Sequence, residues 1–266
     1  MRILVDGQPR ESVGALDRGL HYGDGLFETL AVRHGRLRFL DWHLERLAKG
    51  MRRLGFPPPD LDGLRTELAG AAGEGAGAVK LIVTRGIGPR GYRPPREARP
   101  TRIVIAYDAP GVELPAKGLR VGWCRVRLGR NPALAGLKHT SRLEQVLARA
   151  EWDDGHMDEG LMLDTEGRVI SATQANVFAR IGSRWVTPSL DGCGVAGVMR
   201  RAFREWLKGQ GNPAEERPVA AAELAEATAL VLTNALIGAQ AVRELAGRGL
   251  EPDPDVAAFG GWLERL

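Results

Sequence analysis

The sequence predicts a two-lobed α+β protein, and three features predict it. At 266 residues the chain is long for one compact core and comfortable for two. Period-2 apolar runs alternate with runs of helical spacing in both halves. Between the halves, residues 108–118 hold two prolines and two glycines without periodicity, which reads as a linker. The expected division is an N-terminal domain over 1–107, the linker over 108–118 and a C-terminal domain over 119–266, with a cleft between the lobes.

In chain order, Met1 to Val5 and Pro9 to Ser12 flank the turn Asp6-Gly7, a hairpin signal. Phe27 to Val32 is a strand, the pair His34-Gly35 turns the chain, and a short strand follows at Leu37 to Leu40. Asp41 is expected to cap a helix bearing Leu44, Leu47, Met51 and Leu54, ended by Pro57-Pro58-Pro59. Asp60 opens a second helix with Leu61, Leu64 and Leu68, and strands at Ala78 to Thr84 and Thr101 to Tyr107 complete the lobe.

The second lobe begins with a strand at Leu119 to Val126. Ser141 with Glu144 suggests a capping box for a helix reaching about Asp153. Strands are expected at Glu159 to Asp164, Val169 to Ser171, Asn176 to Arg180 and Arg184 to Thr187, then a helix near Val198 and a buried strand at Ala229 to Thr233. No internal repeat or low-complexity tract interrupts this order.

Composition excludes several classes. Hydrophobic residues at 44% and charged residues at 26% are ordinary for a globular chain and argue against disorder. The N-terminus Met-Arg-Ile-Leu-Val-Asp-Gly turns polar too soon for a signal peptide, and no run approaches a bilayer span, so a cytoplasmic protein is expected. Cys124 and Cys193 alone indicate neither a disulfide framework nor a cysteine metal site, and the histidines lack ligand spacing, so no metal is expected. The net charge of +4 is spread along the chain rather than gathered in an arm, which disfavours nucleic acid and suits a small anionic substrate.

Residues 86–91, Gly-Ile-Gly-Pro-Arg-Gly, match a dinucleotide fingerprint literally. That reading requires a helix to open at the glycines, and Tyr92-Arg93-Pro94-Pro95 cannot be that helix. A flexible surface loop carrying Arg90 is the better reading.

Lys138 follows an apolar run and precedes an expected helix, where burial could make its amine a nucleophile. On local chemistry alone, a solvated lysine at a helix start is the more ordinary reading. Four separated blocks bear on the choice: Asp17-Arg-Gly-Leu-His-Tyr-Gly-Asp-Gly-Leu-Phe-Glu-Thr29; His43-Leu-Glu-Arg-Leu47; Gly129-Arg-Asn-Pro with Ala135-Gly-Leu-Lys-His139 and Arg142-Leu-Glu-Gln145; and Val169 to Phe178 with Gly194-Val-Ala-Gly-Val-Met-Arg200. In this order they resemble the fold-type IV pyridoxal phosphate enzymes, which include branched-chain and D-amino-acid aminotransferases and 4-amino-4-deoxychorismate lyases. The lysine block and Arg85 to Tyr92 are most like the lyases.

The resemblance implies pyridoxal 5'-phosphate as cofactor, with Lys138 as the lysine that joins it and shuttles protons. It implies that Arg46 pairs with the cofactor phosphate, a task suited to a guanidinium fork. The amides of Val198 and Met199 would hold the same phosphate at a helix start, with Asn234 and Ala235 completing the cup. Thr29 matches a threonine that assists proton delivery in the lyases, and Arg90 is a candidate for a substrate carboxylate. Read without the resemblance, these are a helix-face arginine, an ordinary helix start, a strand threonine and a mobile surface charge.

One position departs from the family pattern. Where a glutamate normally meets the pyridine nitrogen, five residues before Asn176, this chain has Ser171. A hydroxyl can hydrogen-bond that nitrogen but cannot favour its protonated form as a carboxylate does. The resemblance therefore implies a lyase forming 4-aminobenzoate and pyruvate from 4-amino-4-deoxychorismate, and a homodimer. The alternatives are a D-amino-acid or branched-chain aminotransferase and, more distantly, an inactive binding protein of the same fold.

Overall fold

The computed structural model describes residues 1–73, 76–108, 117–153 and 155–266. The described residues fall into two compact units, one of Met1–Val112 with Leu137–Ser141 and one of Glu113–Gly136 with Arg142–Leu266. Most of the expected linker, residues 109–116, lies outside the described residues.

The N-terminal unit contains β1 (Arg2–Val5), β2 (Gln8–Pro9), α1 (Arg18–Tyr22), β3 (Gly25–Arg33), β4 (Arg36–Leu37), α2 (Leu40–Arg53), α3 (Leu61–Ala71), β5 (Ala76–Thr84) and β6 (Thr101–Asp108). Its strands form one sheet ordered β2-β1-β6-β5-β3-β4. The Asp6-Gly7 and His34-Gly35 turns both carry positive φ at their two central residues, the twist that two-residue hairpins require. Asp60 caps α3 as expected, its carboxylate accepting from the Gly63 amide at 2.9 Å.

Asp41 does not cap α2. The residue at that position is Phe39, which takes a left-handed conformation and offers no side-chain bond, while Asp41 sits inside the first turn and pairs with Arg65. Helix α1 was not expected, because five residues are too few for a periodic signal. Its ends were nonetheless written in Asp17, which accepts from the Gly19 amide, and in Gly23 at φ 64.

The C-terminal unit contains β7 (Leu119–Trp123), α4 (Leu143–Arg149), β8 (Glu159–Leu163), β9 (Val169–Ala172), β10 (Asn176–Ile181), β11 (Arg184–Pro188), α5 (Val198–Gly209), β12 (Glu215–Arg217), a 3-10 turn (Ala221–Ala225), β13 (Ala229–Asn234), β14 (Gly238–Leu245), β15 (Arg248–Gly249) and α6 (Pro254–Leu263). The sheet runs β12-β11-β10-β13-β14-β7-β8-β9, with β15 paired to β14. Leu161, Val177, Leu230, Leu232 and Val242 lie in its main apolar core, which sets the framework for the loops at the strand ends.

The capping box at Ser141 and Glu144 does not form. Arg142 precedes α4 without a side-chain cap, and Glu144 accepts instead from the Gly129 amide at 2.7 Å. The helix is also shorter than expected, stopping at Arg149.

Candidate active site

Strand β3 organises the chemistry of the N-terminal unit. Alternation puts Phe27 and Thr29 on one of its faces and Glu28 on the other. The segment around Lys138 joins this strand: the Phe27 amide donates to the Lys138 carbonyl and the Thr140 amide to the Gly25 carbonyl, each at 2.9 Å. The domain division read from sequence puts Lys138 with residues 119–266, but these bonds draw residues 137–141 to the N-terminal sheet. The half-buried Lys138 then lays its ammonium 4.2 Å from the centre of the Phe27 ring, a cation–π contact.

A second lysine shares that ring. Lys80 on β5 is the direct cross-strand partner of Thr29, and its ammonium lies 5.3 Å from the Phe27 centroid. In the sequence Lys80 is a strand lysine without a suggestive surround. The only signal that could have found it was the β3–β5 register, since both strands were expected.

On the opposite face, α2 supplies Arg46 and His43 to Glu28. Arg46 donates from Nε to Glu28 Oε1 at 2.8 Å and makes a second bond to Oε2. His43 Nδ1 lies 2.6 Å from Glu28 Oε2, and both side chains are almost wholly buried. Burial by itself would raise the Glu28 carboxyl, but the charge and bonds of Arg46 and the bond from His43 outweigh it, holding the group at about 2. Burial pushes His43 below its usual range against the pull of Glu28, assisted by the positive charges of Arg46 and Lys138. The consistent state is a Glu28 carboxylate with a neutral His43 that donates from Nδ1. Glu28 and His43 belong to the first two sequence blocks, and their burial with Arg46 gives them a role there.

Arg90 lies on the loop after β5, exposed and with no partner among the described residues. No helix follows the glycines, as the two prolines required. A side chain at Gly86, φ 82, would come within 1.9 Å of the Arg99 carbonyl, so close backbone approach explains this glycine. The loop is tied more firmly than a flexible surface loop: Arg18 donates to the carbonyls of Gly91 and Tyr92.

In the C-terminal unit, Asn176 is the hub. It pairs with Thr233 across β10 and β13, and its Nδ2 donates to the Val195 carbonyl at 2.8 Å. A Cβ at Gly197 would meet its Oδ1 at 2.1 Å. Asn176 thus joins the start of α5 to the end of β13. Gly197 precedes α5 without a side-chain cap, and the first intrahelical bond is made by Arg201 to Gly197. The leading amides of Val198 and Met199 are therefore open to an outside acceptor, and the helix dipole favours an anion there.

Asn234 ends β13 and uses its side-chain oxygen to hold the next turn, accepting from the amides of Leu236 and Ile237 at 2.9 Å each. Ala235 lies within that turn. The neighbouring Thr233 hydroxyl is buried without a hydrogen-bond partner among the described residues. An uncapped helix start, a glycine that admits no side chain and an adjoining polar turn fit a phosphate group. Ser171 lies on β9 opposite Met162 and is half-buried.

No group of three or more His, Cys, Asp or Glu among the described residues is arranged to hold a metal. Burial pushes the thiols of Cys124 and Cys193 up to about 12 and about 11, so neither is poised as a nucleophile. Among the described residues, no helix is long and apolar enough to cross a membrane.

Known proteins resemble this chain over nearly its whole length. It is 36% identical over 241 residues to the aminodeoxychorismate lyase of Vibrio harveyi, covering 88% of each chain. The crystal structure of 4-amino-4-deoxychorismate lyase from Pseudomonas aeruginosa superposes with a TM-score of 0.93 at 46% identity, covering 99% of this chain and 98% of that one. A putative branched-chain-amino-acid aminotransferase of Methanocaldococcus jannaschii is more distant, at 28% identity over 93% of this chain and 89% of its own. The model of the amino-transferase class IV family matches residues 25–245, from the first residue of β3 to the last of β14. Spanning the strand that seats Lys138, the start of α5 and the β13 turn alike, that match places the chain in the class IV aminotransferase family, with the fold-type IV architecture.

Proposed function

We propose that the protein is a pyridoxal phosphate-dependent lyase that converts 4-amino-4-deoxychorismate into 4-aminobenzoate and pyruvate, supplying folate synthesis. The family depends on this cofactor, and the lyase relatives are more similar to the chain than the aminotransferase relative. The observation that carries the reading is Lys138, seated by its backbone on β3 with its ammonium over Phe27.

When bound, the cofactor supplies an electron-withdrawing ring that stabilises negative charge at the amine-bearing carbon of the substrate. Lys138 Nζ would hold the cofactor through its aldehyde, and as a free amine it would take the proton from the amine-bearing carbon of the substrate as a general base. Thr29, on the same face as Phe27, or Lys138 itself then delivers a proton to the departing enolpyruvyl group, which becomes pyruvate.

Arg46, steadied by Glu28, would offer its guanidinium to the cofactor phosphate. The amides of Val198 and Met199, with Asn234 and Ala235, would offer donors to the same group. Ser171 would offer a hydroxyl to the pyridine nitrogen. Arg90 and Lys80 supply positive charge for the substrate carboxylates.

We assign a homodimer as the working assembly. Leu143, Val146 and Leu147 form a stripe on α4 that is 76%, 60% and 59% exposed, at the i, i+3, i+4 spacing of a covered face.

The test is to incubate the protein with chorismate, glutamine and an aminodeoxychorismate synthase and assay 4-aminobenzoate. The reading requires protein-dependent 4-aminobenzoate and pyruvate in equal amounts. No product above the synthase control, with conversion of the cofactor to its amine form by alanine or glutamate, would make the chain an aminotransferase. A protein that shows no cofactor absorbance band even after cofactor is added would be an inactive binding protein.

A further inference from the structure

The loop that carries Arg90 is built to hold one residue still. The peptide joining Arg90 to Gly91 donates its N–H to the Tyr22 hydroxyl at 3.0 Å. The next two carbonyls, of Gly91 and Tyr92, accept from the two terminal nitrogens of Arg18 at 2.9 and 3.0 Å. Two anchors therefore grip Gly91 and Tyr92 through three backbone groups, directly after Arg90. The Tyr22 and Tyr92 rings meet edge to face at 5.4 Å, and the Arg18 guanidinium lies 4.8 Å from the Tyr22 ring centre.

Arg18 is itself an unusual anchor, because it is only 3% exposed. Its Nε donates to Asp24 Oδ2 at 2.9 Å, and that oxygen also accepts from Arg85 Nε at 2.8 Å. Arg85 in turn donates to the carbonyls of Leu54 and Gly55. The loop is thereby referenced to the end of α2, the helix that carries Arg46. A buried guanidinium needs such a set of acceptors. Here it spends two of its donors on loop carbonyls, a use that stabilises a particular loop conformation rather than the core.

We infer that Arg18 and Tyr22 are positioning residues for Arg90, fixing its backbone so that its exposed guanidinium is presented to a carboxylate of the anionic substrate. This rests on the reading of Arg90 given above. Neither Arg18 nor Tyr22 touches substrate in this account. Their contribution is to remove the ordering cost that a loose loop would add at substrate binding.

The experiment is a double-mutant cycle of Tyr22→Phe and Arg90→Ala, with Arg18→Lys as a second anchor variant. Each protein is assayed for KM and kcat, and those that keep Arg90 for the rate of trypsin cleavage after it. Tyr22→Phe keeps the ring and its packing, so the fold is retained. Losing one hydrogen bond of this kind is expected to raise KM about three- to tenfold with kcat within about twofold. Trypsin should cut the loop faster in Tyr22→Phe, and Arg18→Lys should change KM in the same direction. In the Arg90→Ala background, Tyr22→Phe should leave KM unchanged. An equal rise of KM in both backgrounds, or no change in KM and cleavage, overturns the positioning role. An Arg90→Ala protein with unaltered KM overturns the reading of Arg90 itself, and that single variant distinguishes the two failures.

Discussion

Phe27 holds Lys138 at both ends. Its amide donates to the lysine carbonyl at 2.9 Å, and its ring lies under the ammonium at 4.2 Å. A flexible four-carbon side chain is thus fixed at its backbone and at its tip by one strand residue. Side-chain freedom that would otherwise be lost at each turnover is already restricted.

Replacing Phe27 with leucine keeps the backbone bond and the apolar bulk but removes the π face. Cation–π contacts of this kind contribute about 0.5–2 kcal/mol, so cofactor affinity should fall by roughly three- to thirtyfold. Absorbance titration with pyridoxal phosphate measures this. An unchanged affinity would mean that the ring does not seat the lysine.

Acid should destabilise the N-terminal unit through Glu28 and His43. Glu28 has a folded value of about 2 against an ordinary 4.5, so its stabilisation is complete above about 4.5 and is lost as pH falls through about 2. A shift of that size corresponds to roughly 3 kcal/mol at neutral pH. His43 is also lowered, so the unfolded chain takes up a proton below the ordinary 6.5 that the folded chain refuses, and stability begins to fall there. Glu28→Gln should cost about 3 kcal/mol at pH 7, because it leaves Arg46 without its buried counter-charge. It should also flatten the acid limb below pH 4.5. Thermal melts from pH 3 to 8 read both effects, and identical pH profiles for the two proteins would contradict them.

Gly197→Ala tests the phosphate role proposed for the start of α5. The added carbon would stand 2.1 Å from Asn176 Oδ1, so Asn176 or the start of α5 must move. Overpacking of this kind costs about 1–3 kcal/mol. Affinity for pyridoxal phosphate should drop at least about tenfold, the scale of a lost charge-assisted bond, whereas affinity for pyridoxal, which lacks the phosphate, should change little. Equal losses for both ligands would mean that α5 does not serve the phosphate.

Ser171→Glu tests the departure at the pyridine nitrogen. A carboxylate there favours the protonated ring and a stronger electron sink, which serves transamination more than an elimination driven by aromatisation. The variant should complete fewer turnovers before the cofactor is lost to its amine form. An unchanged or longer working life would count against a role for the serine in suppressing that side reaction.

Much of the framework was legible because it is local. The Asp6-Gly7 turn, the Asp60 cap and the opening of α5 after Gly197 are each specified within a few residues. The caps at Asp41 and Ser141 misled for a tertiary reason: Asp41 pairs with Arg65 and Glu144 with the Gly129 amide, partners that no local pattern reveals. Beyond Asn234 the sequence suggested no strand. The run Gly238 to Leu245 lacks alternation, and β14 is held by β13 on one side and by a parallel pairing with the distant β7 on the other. Site residues followed the same rule. Lys138 was found through its block, whereas Lys80 became visible only through the register that sets it against Thr29.

The most direct test is to load the protein with pyridoxal phosphate, reduce it with borohydride and map the labelled peptide. One label is expected, on Lys138, with none in a Lys138→Ala protein. A label on Lys80, the other lysine over Phe27, or no label at all, would contradict it.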